Sequence, residues 1–194
     1  MNKKATTQVP VHPLLAGRWS PRGFDSAHAL DEADLTALLE AARWAPSASN
    51  SQPWRFLVAH RGDEAFAALY DLLMPGNQLW AGAASALILV AAETEDAEGK
   101  ARPFAAYDTG QAVAHLLVQA EHLGLAVHQM GGFDHDGASA AFGLGSGVRP
   151  LVVVAVGRHD PSAELAPVLA ERERAPRDRR PVADLLLTAA APVA

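Results

Sequence analysis

Two stretches of the sequence, 86–91 (Ala-Leu-Ile-Leu-Val-Ala) and 151–156 (Leu-Val-Val-Val-Ala-Val), are apolar at every position. A strand with one wet face alternates apolar and polar residues, so uninterrupted runs of this length predict strands covered on both faces. A chain with two such strands needs helices on either side of its sheet. The sequence supplies them. Asp31 is placed to cap a helix whose Leu35, Leu38, Leu39 and Ala42 share one stripe, with Leu30 positioned to staple against Leu35. Asp63 can cap a second helix carrying Phe66, Leu69, Tyr70 and Leu73, which Pro75-Gly76 is placed to end. A third, from about 103 to 123, presents Val113, Leu116, Leu117 and Ala120 and stops at Gly124. Shorter strands are expected at 56–59 and 125–130. Strands alternating with helices predict a layered α/β or α+β domain, and 194 residues suffice for one core or for half of a larger dimeric one. Residues 1–13, polar and punctuated by proline, read as a flexible arm; residues 14–194 form the single domain, with its C-terminal extension.

Several chemistries are excluded early. With no cysteine there is no disulfide, thiolate metal site, iron–sulfur cluster or cysteine nucleophile. His115 and His122 point the same way along a helix but lack a third ligand, and Asp134 in Asp134-His135-Asp136 reads as a helix cap, so no metal is expected. A net charge of −6 disfavours a nucleic-acid partner. No run is apolar enough for a signal peptide or a bilayer span, so the expected home is the cytoplasm, without a membrane partner.

Polar features are concentrated in a few places. Pro46 and Pro53 bracket Ser47, Ala48, Ser49, Asn50, Ser51 and Gln52, a rigid loop whose donors and acceptors either bind a flat polar heterocycle or satisfy their own turn. Arg18-Trp19-Ser20-Pro21-Arg22 offers ligands for a phosphate or for polar ring edges, or is a solvated turn. Asn77 is either a helix cap or a ligand. After Met130, Gly131-Gly132 leaves amide hydrogens free for a ligand or forms a turn. The glycines at 143, 145 and 147 precede a strand and lack phosphate-loop spacing, so they read as a connection. The charged run 171–181 is a solvated segment or a second basic cluster through Arg177 and Arg179.

In their order, Arg-x-Ser-x-Arg, Pro-Ser-x-x-Asn-Ser-Gln-Pro-Trp, the diglycine after a strand and Arg-x-Arg resemble the FMN-dependent nitroreductase family, from about Arg18 to Pro181. The resemblance implies an α+β fold of three-layer α/β/α type, with a mixed central sheet flanked by helices, in an intertwined homodimer holding FMN at each of two interfaces. It makes Arg18, Trp19, Ser20, Arg22, Asn77, Met130, Gly131, Gly132, Arg177 and Arg179 contacts to FMN from one chain, and Pro46, Ser47, Ala48 and Asn50 contacts from its partner. The Gly131 and Gly132 amides would face the reactive flavin nitrogen N5, where some relatives carry an acidic side chain, and no side chain need be catalytic. NADH or NADPH would reduce FMN by hydride transfer, and a small-molecule acceptor, a nitroaromatic or a quinone, would reoxidise it in a ping-pong cycle. Larger relatives insert roofing helices where this chain has only 93–102. A specialised flavoenzyme of the family, a dehydrogenase or reductive dehalogenase, and a slow flavin-storage protein are the alternatives.

Overall fold

A computed structural model describes residues 3–187; residues 1 and 2 of the expected arm and 188–194 of the expected extension lie outside it. In chain order the elements are α1 (Pro13–Gly17), α2 (Glu32–Arg43), β1 (Trp54–His60), α3 (Glu64–Asp71), α4 (Pro75–Ala81) and β2 (Ala86–Glu93). They continue with α5 (Ala105–His122), β3 (Ala126–Met130), α6 (His135–Ala141), β4 (Val148–Gly157) and α7 (Pro167–Arg174). Short 3-10 turns occur at Ala48–Asn50 and Val182–Leu185.

The sheet order is β1-β2-β4-β3, and each neighbouring pair is antiparallel. The mixed sheet implied by the resemblance is therefore not formed by these four strands. The reason is topological. β2 and β3, joined through α5, run the same way, but β4 enters last and separates them, so no parallel ladder forms. The two apolar runs are the central strands, as their composition requires. Ile88, Val90, Val154 and Val156 pack on Leu38 and Ala42 of α2 and on Val113 and Leu116 of α5. Leu87, Leu89, Val153 and Ala155 face the other way, towards Leu69, Leu73, Trp80, Phe133 and Leu169. Opposite faces of the same strands thus carry separate helix layers, giving the expected three-layer arrangement.

Local signals explain most helix boundaries. Asp31 accepts from the Asp34 amide at 2.8 Å, and Leu30 and Leu35 are buried in one cluster. Gly124, at φ +72°, ends α5 in the left-handed conformation. Two expectations are corrected. Asp63 precedes α3, but its carboxylate turns back to the His60 amide at 3.1 Å and makes no capping bond. Pro75 opens α4 instead of closing α3, because the first turn of a helix has no use for the amide that proline lacks. Asn77 consequently lies inside α4 and is no cap. No helix among the described residues is long and apolar enough to cross a membrane.

The two ends of the chain meet. Ala5 donates to the Ala16 carbonyl at 2.8 Å, and Lys3 Nζ reaches the Glu173 carbonyl at 2.7 Å. Arg177 Nη1 donates to the carbonyls of Lys3 at 2.9 Å and Ala16 at 2.7 Å.

Ile88 has no accessible surface and pairs with strands on both sides, so Ile88→Ala is expected to cost about 2–5 kcal/mol in urea unfolding. Asp31→Ala removes one cap and should cost about 0.5–2 kcal/mol. Equal losses would mean that the sheet centre does not dominate stability.

Candidate functional site

The segment 18–22 leaves α1 without entering another helix or strand, which frees its side chains to diverge. Arg18 Nη1 donates to Ser20 Oγ at 3.3 Å. Trp19 turns elsewhere: its ring meets His159 edge-on at 5.2 Å and lies 4.5 Å beneath Lys3 Nζ. Pro21 is buried, and its carbonyl accepts from His128 Nδ1 at 2.9 Å. The His128 ring also packs 4.4 Å from Trp80. Burial, reinforced by the nearby charges of Arg22 and Arg18, pushes the His128 pKa down to about 4 against the pull of the Pro21 carbonyl.

The two basic clusters converge. Burial lowers the pKa of Arg18, and the charges of Arg177 and Arg179 lower it further, while Glu121 on α5 opposes them. Glu121 is itself pushed up by burial, against the pull of Arg18 and Arg177. Arg177 is tied to two carbonyls, whereas among the described residues the Arg179 guanidinium donates to the neighbouring Asp178 carbonyl, at 2.6 Å. Arg22 stands a little apart, half-buried, beside a cleft that includes Phe24, Gln78 and Trp80.

The diglycine follows β3. Gly132 accepts at its carbonyl from the Met74 amide and from Asn77 Nδ2, both at 3.0 Å, so Asn77 buttresses the turn. A side chain at Gly132 would approach Asn77 Nδ2 to 3.2 Å, whereas one at Gly131 would meet open space. Among the described residues no acceptor is paired with either glycine amide. Met130 is buried beneath this turn, its side chain in the core.

The proline-bracketed loop is held by a residue that sequence reasoning missed. Asp108, only 3% exposed, accepts from the Ala48 amide at 2.9 Å. Ser47 Oγ accepts from the Gln52 amide at 3.1 Å, so this hydroxyl satisfies its own turn. Ser49, Asn50 and Gln52 take φ of 52°, 55° and 45°, a left-handed geometry that costs a non-glycine residue energy and persists only where neighbours enforce it. Pro46, Ala48 and Asn50 are exposed, and the first two line a shallow cleft with the exposed rings of Phe104 and Tyr107. Asp108 and Glu121 stand near opposite ends of α5, about 20 Å apart along its axis. The loop and the cations therefore belong to different regions of one chain.

Asp108 did leave a trace in the sequence, since it shares the buried four-residue stripe of Ala112, Leu116 and Ala120. A carboxylate on such a stripe needs a partner. Elsewhere, Asp134 caps α6 by accepting from the Gly137 amide at 2.9 Å, and the described residues contain no cluster of three potential metal ligands. The short segment 93–102 folds into a turn closed by a Glu95–Ala101 bridge and by Glu93, which pairs with Arg55 at 2.6 Å and Arg102 at 2.7 Å.

A family model described as "Nitroreductase family" matches residues 15–77 and 63–158. An uncharacterized 15.4 kDa protein of Mycolicibacterium smegmatis is 45% identical over 133 residues, covering 64% of this chain and 88% of that protein. The major NAD(P)H-flavin oxidoreductase of Aliivibrio fischeri is 32% identical over 74 residues, 34% of each protein. Among solved structures, an oxidoreductase containing FMN superposes with a TM-score of 0.89 at 39% identity, covering 96% of this chain and 95% of the other. A Desulfovibrio desulfuricans protein in complex with FMN superposes at 0.73 with 26% identity, over 96% of this chain and 100% of the other.

His128 gives the fold a pH dependence of definite sign. Its folded pKa of about 4 lies below the ordinary 6.5, so between these values the unfolded chain binds more protons. The stability contribution is complete above pH 6.5 and falls by about 3 kcal/mol as the pH drops to 4. His28 and His159 shift in the same direction, so the comparison needed is with His128→Gln, which should flatten the profile in this window. Parallel profiles for the two proteins would show that His128 is not buried as a neutral ring.

Proposed function

This chain belongs to the nitroreductase family, and we propose that it takes electrons from NAD(P)H on FMN and passes them to a small electrophilic acceptor such as a nitroaromatic or a quinone. The observation that carries this reading is that Arg177 is tied to the Ala16 carbonyl, two residues before Arg18, so that Arg18, Arg177 and Arg179 share one field. The half-buried Arg18 and Arg177 with the exposed Arg179, opposed at Arg18 by Glu121, form a place whose repulsion a phosphate dianion would relieve. The open face of Gly131 and the two glycine amides fit the edge of a flat ring.

Bound FMN supplies reversible hydride chemistry; the chain supplies binding, orientation and charge. Arg18, Arg177 and Arg179 hold the phosphate, and Ser20 and Arg22 meet polar edges of the ring system. The Gly131 and Gly132 amides donate to a ligand that gains negative charge on reduction, by the reasoning that applies to an oxyanion hole. Trp19, whose ring packs on His159 and Lys3, and Met130, whose side chain is in the core, offer the ligand their backbones. Asn77 acts by fixing the Gly132 carbonyl.

Pro46, Ser47, Ala48 and Asn50 cover the ligand from a second copy of the chain. The length of α5 between this loop and the cations supports that arrangement, as do the exposed Trp44, Phe104 and Tyr107 and the exposed Leu185, Leu186 and Leu187. The expected species in sedimentation is a yellow homodimer; a stable, FMN-loaded monomer would overturn the shared site.

Stopped-flow mixing with NADH and with NADPH tests the function directly. Reduction of bound FMN should keep pace with turnover, and initial rates should give the parallel lines of a ping-pong cycle. FMN that neither nicotinamide reduces would leave a binding protein and end the oxidoreductase reading.

Arg179→Ala should weaken FMN about tenfold to a hundredfold, as expected for a lost charge-assisted phosphate contact, and leave riboflavin almost unaffected. Titration with both flavins measures this, and equal losses would remove Arg179 from the phosphate site.

A further inference from the structure

We infer that Glu173 is a positioning residue for FMN: from the last turn of α7 its carboxylate grips the backbone of the Arg18–Arg22 segment and sets where Arg22 points. The inference rests on reading that segment as an FMN contact. Both carboxylate oxygens accept from the Arg22 amide at 3.1 Å, and Oε1 also accepts from the Gly23 amide at 3.3 Å. The side chain is 15% exposed, with His159 Nε2 3.8 Å away. Amides in a segment outside any helix or strand need a partner, and here a carboxylate does what a neighbouring strand would otherwise do.

The grip is two-sided. The Gly23 carbonyl accepts from the Asp160 amide at 3.1 Å, and a side chain at Gly23 would come within 2.6 Å of the Asp160 carbonyl. The peptide between Arg22 and Gly23 is thus fixed through its N–H by Glu173, while the next peptide is fixed through its C=O by Asp160. Glu173 also offers its own carbonyl to Lys3, and the chain continues from it directly to Arg177 and Arg179. One turn of helix therefore ties both basic clusters to a common support.

The sign of the effect separates this role from simple electrostatics. A carboxylate near cations that await a phosphate should, as a charge, oppose the phosphate. As a clamp it should favour it. Glu173→Gln keeps the shape, removes the charge and replaces one acceptor oxygen with a donor that cannot serve an amide. If positioning governs, FMN binding weakens about tenfold; if charge governs, it tightens.

The experiment is an FMN titration of the full-length protein as wild type, Glu173→Gln, Arg22→Ala and the double variant, with Glu173→Asp as a second probe. Glu173→Asp retains the charge but retracts it by one methylene, and should weaken FMN as Glu173→Gln does. The double variant should bind within about twofold of Arg22→Ala alone, because the clamp then has no arginine to aim; a loss through general destabilisation would multiply instead. Hydrogen exchange of the FMN-free wild type should show protected Arg22 and Gly23 amides, which holds whether or not a variant folds. Unchanged or tighter FMN binding in Glu173→Gln, multiplying losses, or unprotected amides would overturn the role of Glu173. A wild type that binds no FMN would overturn the functional reading itself, and this inference with it.

Discussion

Like charges held together must be restrained by something, and where the two ends of this chain meet the restraint is largely backbone. Arg177 is fixed by the carbonyls of Lys3 and Ala16, neutral partners that set its position without cancelling its charge. Arg18 is half-buried in the same field, with Glu121 supplying the opposing charge from α5. A full complement of carboxylates would have made this a stable knot of ion pairs with little left for a ligand. Carbonyl dipoles hold the geometry and leave the electrostatic demand for an anion in place.

The loop 46–53 solves a different problem. It must keep a polar surface rigid without the regular hydrogen bonds of a helix or strand. Two prolines limit its backbone, the Ser47 hydroxyl ties its two halves together, and Asp108 anchors it to α5. These restraints keep Ser49, Asn50 and Gln52 in a conformation that isolated residues avoid. α5 is consequently more than a core helix, because Asp108 near one end and Glu121 towards the other serve the two parts of the proposed site.

The parts of the fold that were legible in the sequence are those whose cause is local or periodic. Uninterrupted apolar runs identified the two central strands, i to i+4 stripes identified α2 and α5, and Asp31 with Leu30 and Leu35 marked a helix start. What escaped depends on partners far along the chain. Nothing in the composition of β4 says that it will slip between β2 and β3. Asp63 had the right residue type for a cap, but the His60 amide competed for its carboxylate. Pro75 is compatible with either end of a helix, and the packing of Trp80 and Ala81 in the core favoured a start. Within the proposed site the arginines were legible as clusters, whereas Glu173 was masked by its own composition. In Glu171-Arg172-Glu173-Arg174 it looks like one solvated charge among others, and only the fold turns it towards Arg22.

The bond between Arg177 and the Lys3 carbonyl spans 174 residues of chain. Closing so long a loop costs conformational entropy that only a nearly complete structure returns, so contacts of this separation form late in folding. The helix stripes and the sheet can assemble from nearer neighbours, but the cation cluster has no local precursor. On the ribosome, its two halves wait for each other until residue 177 has emerged. A nascent chain therefore assembles its sheet before Arg177 can close on Lys3 and Ala16, and in the reading proposed above the phosphate site is completed only after the core.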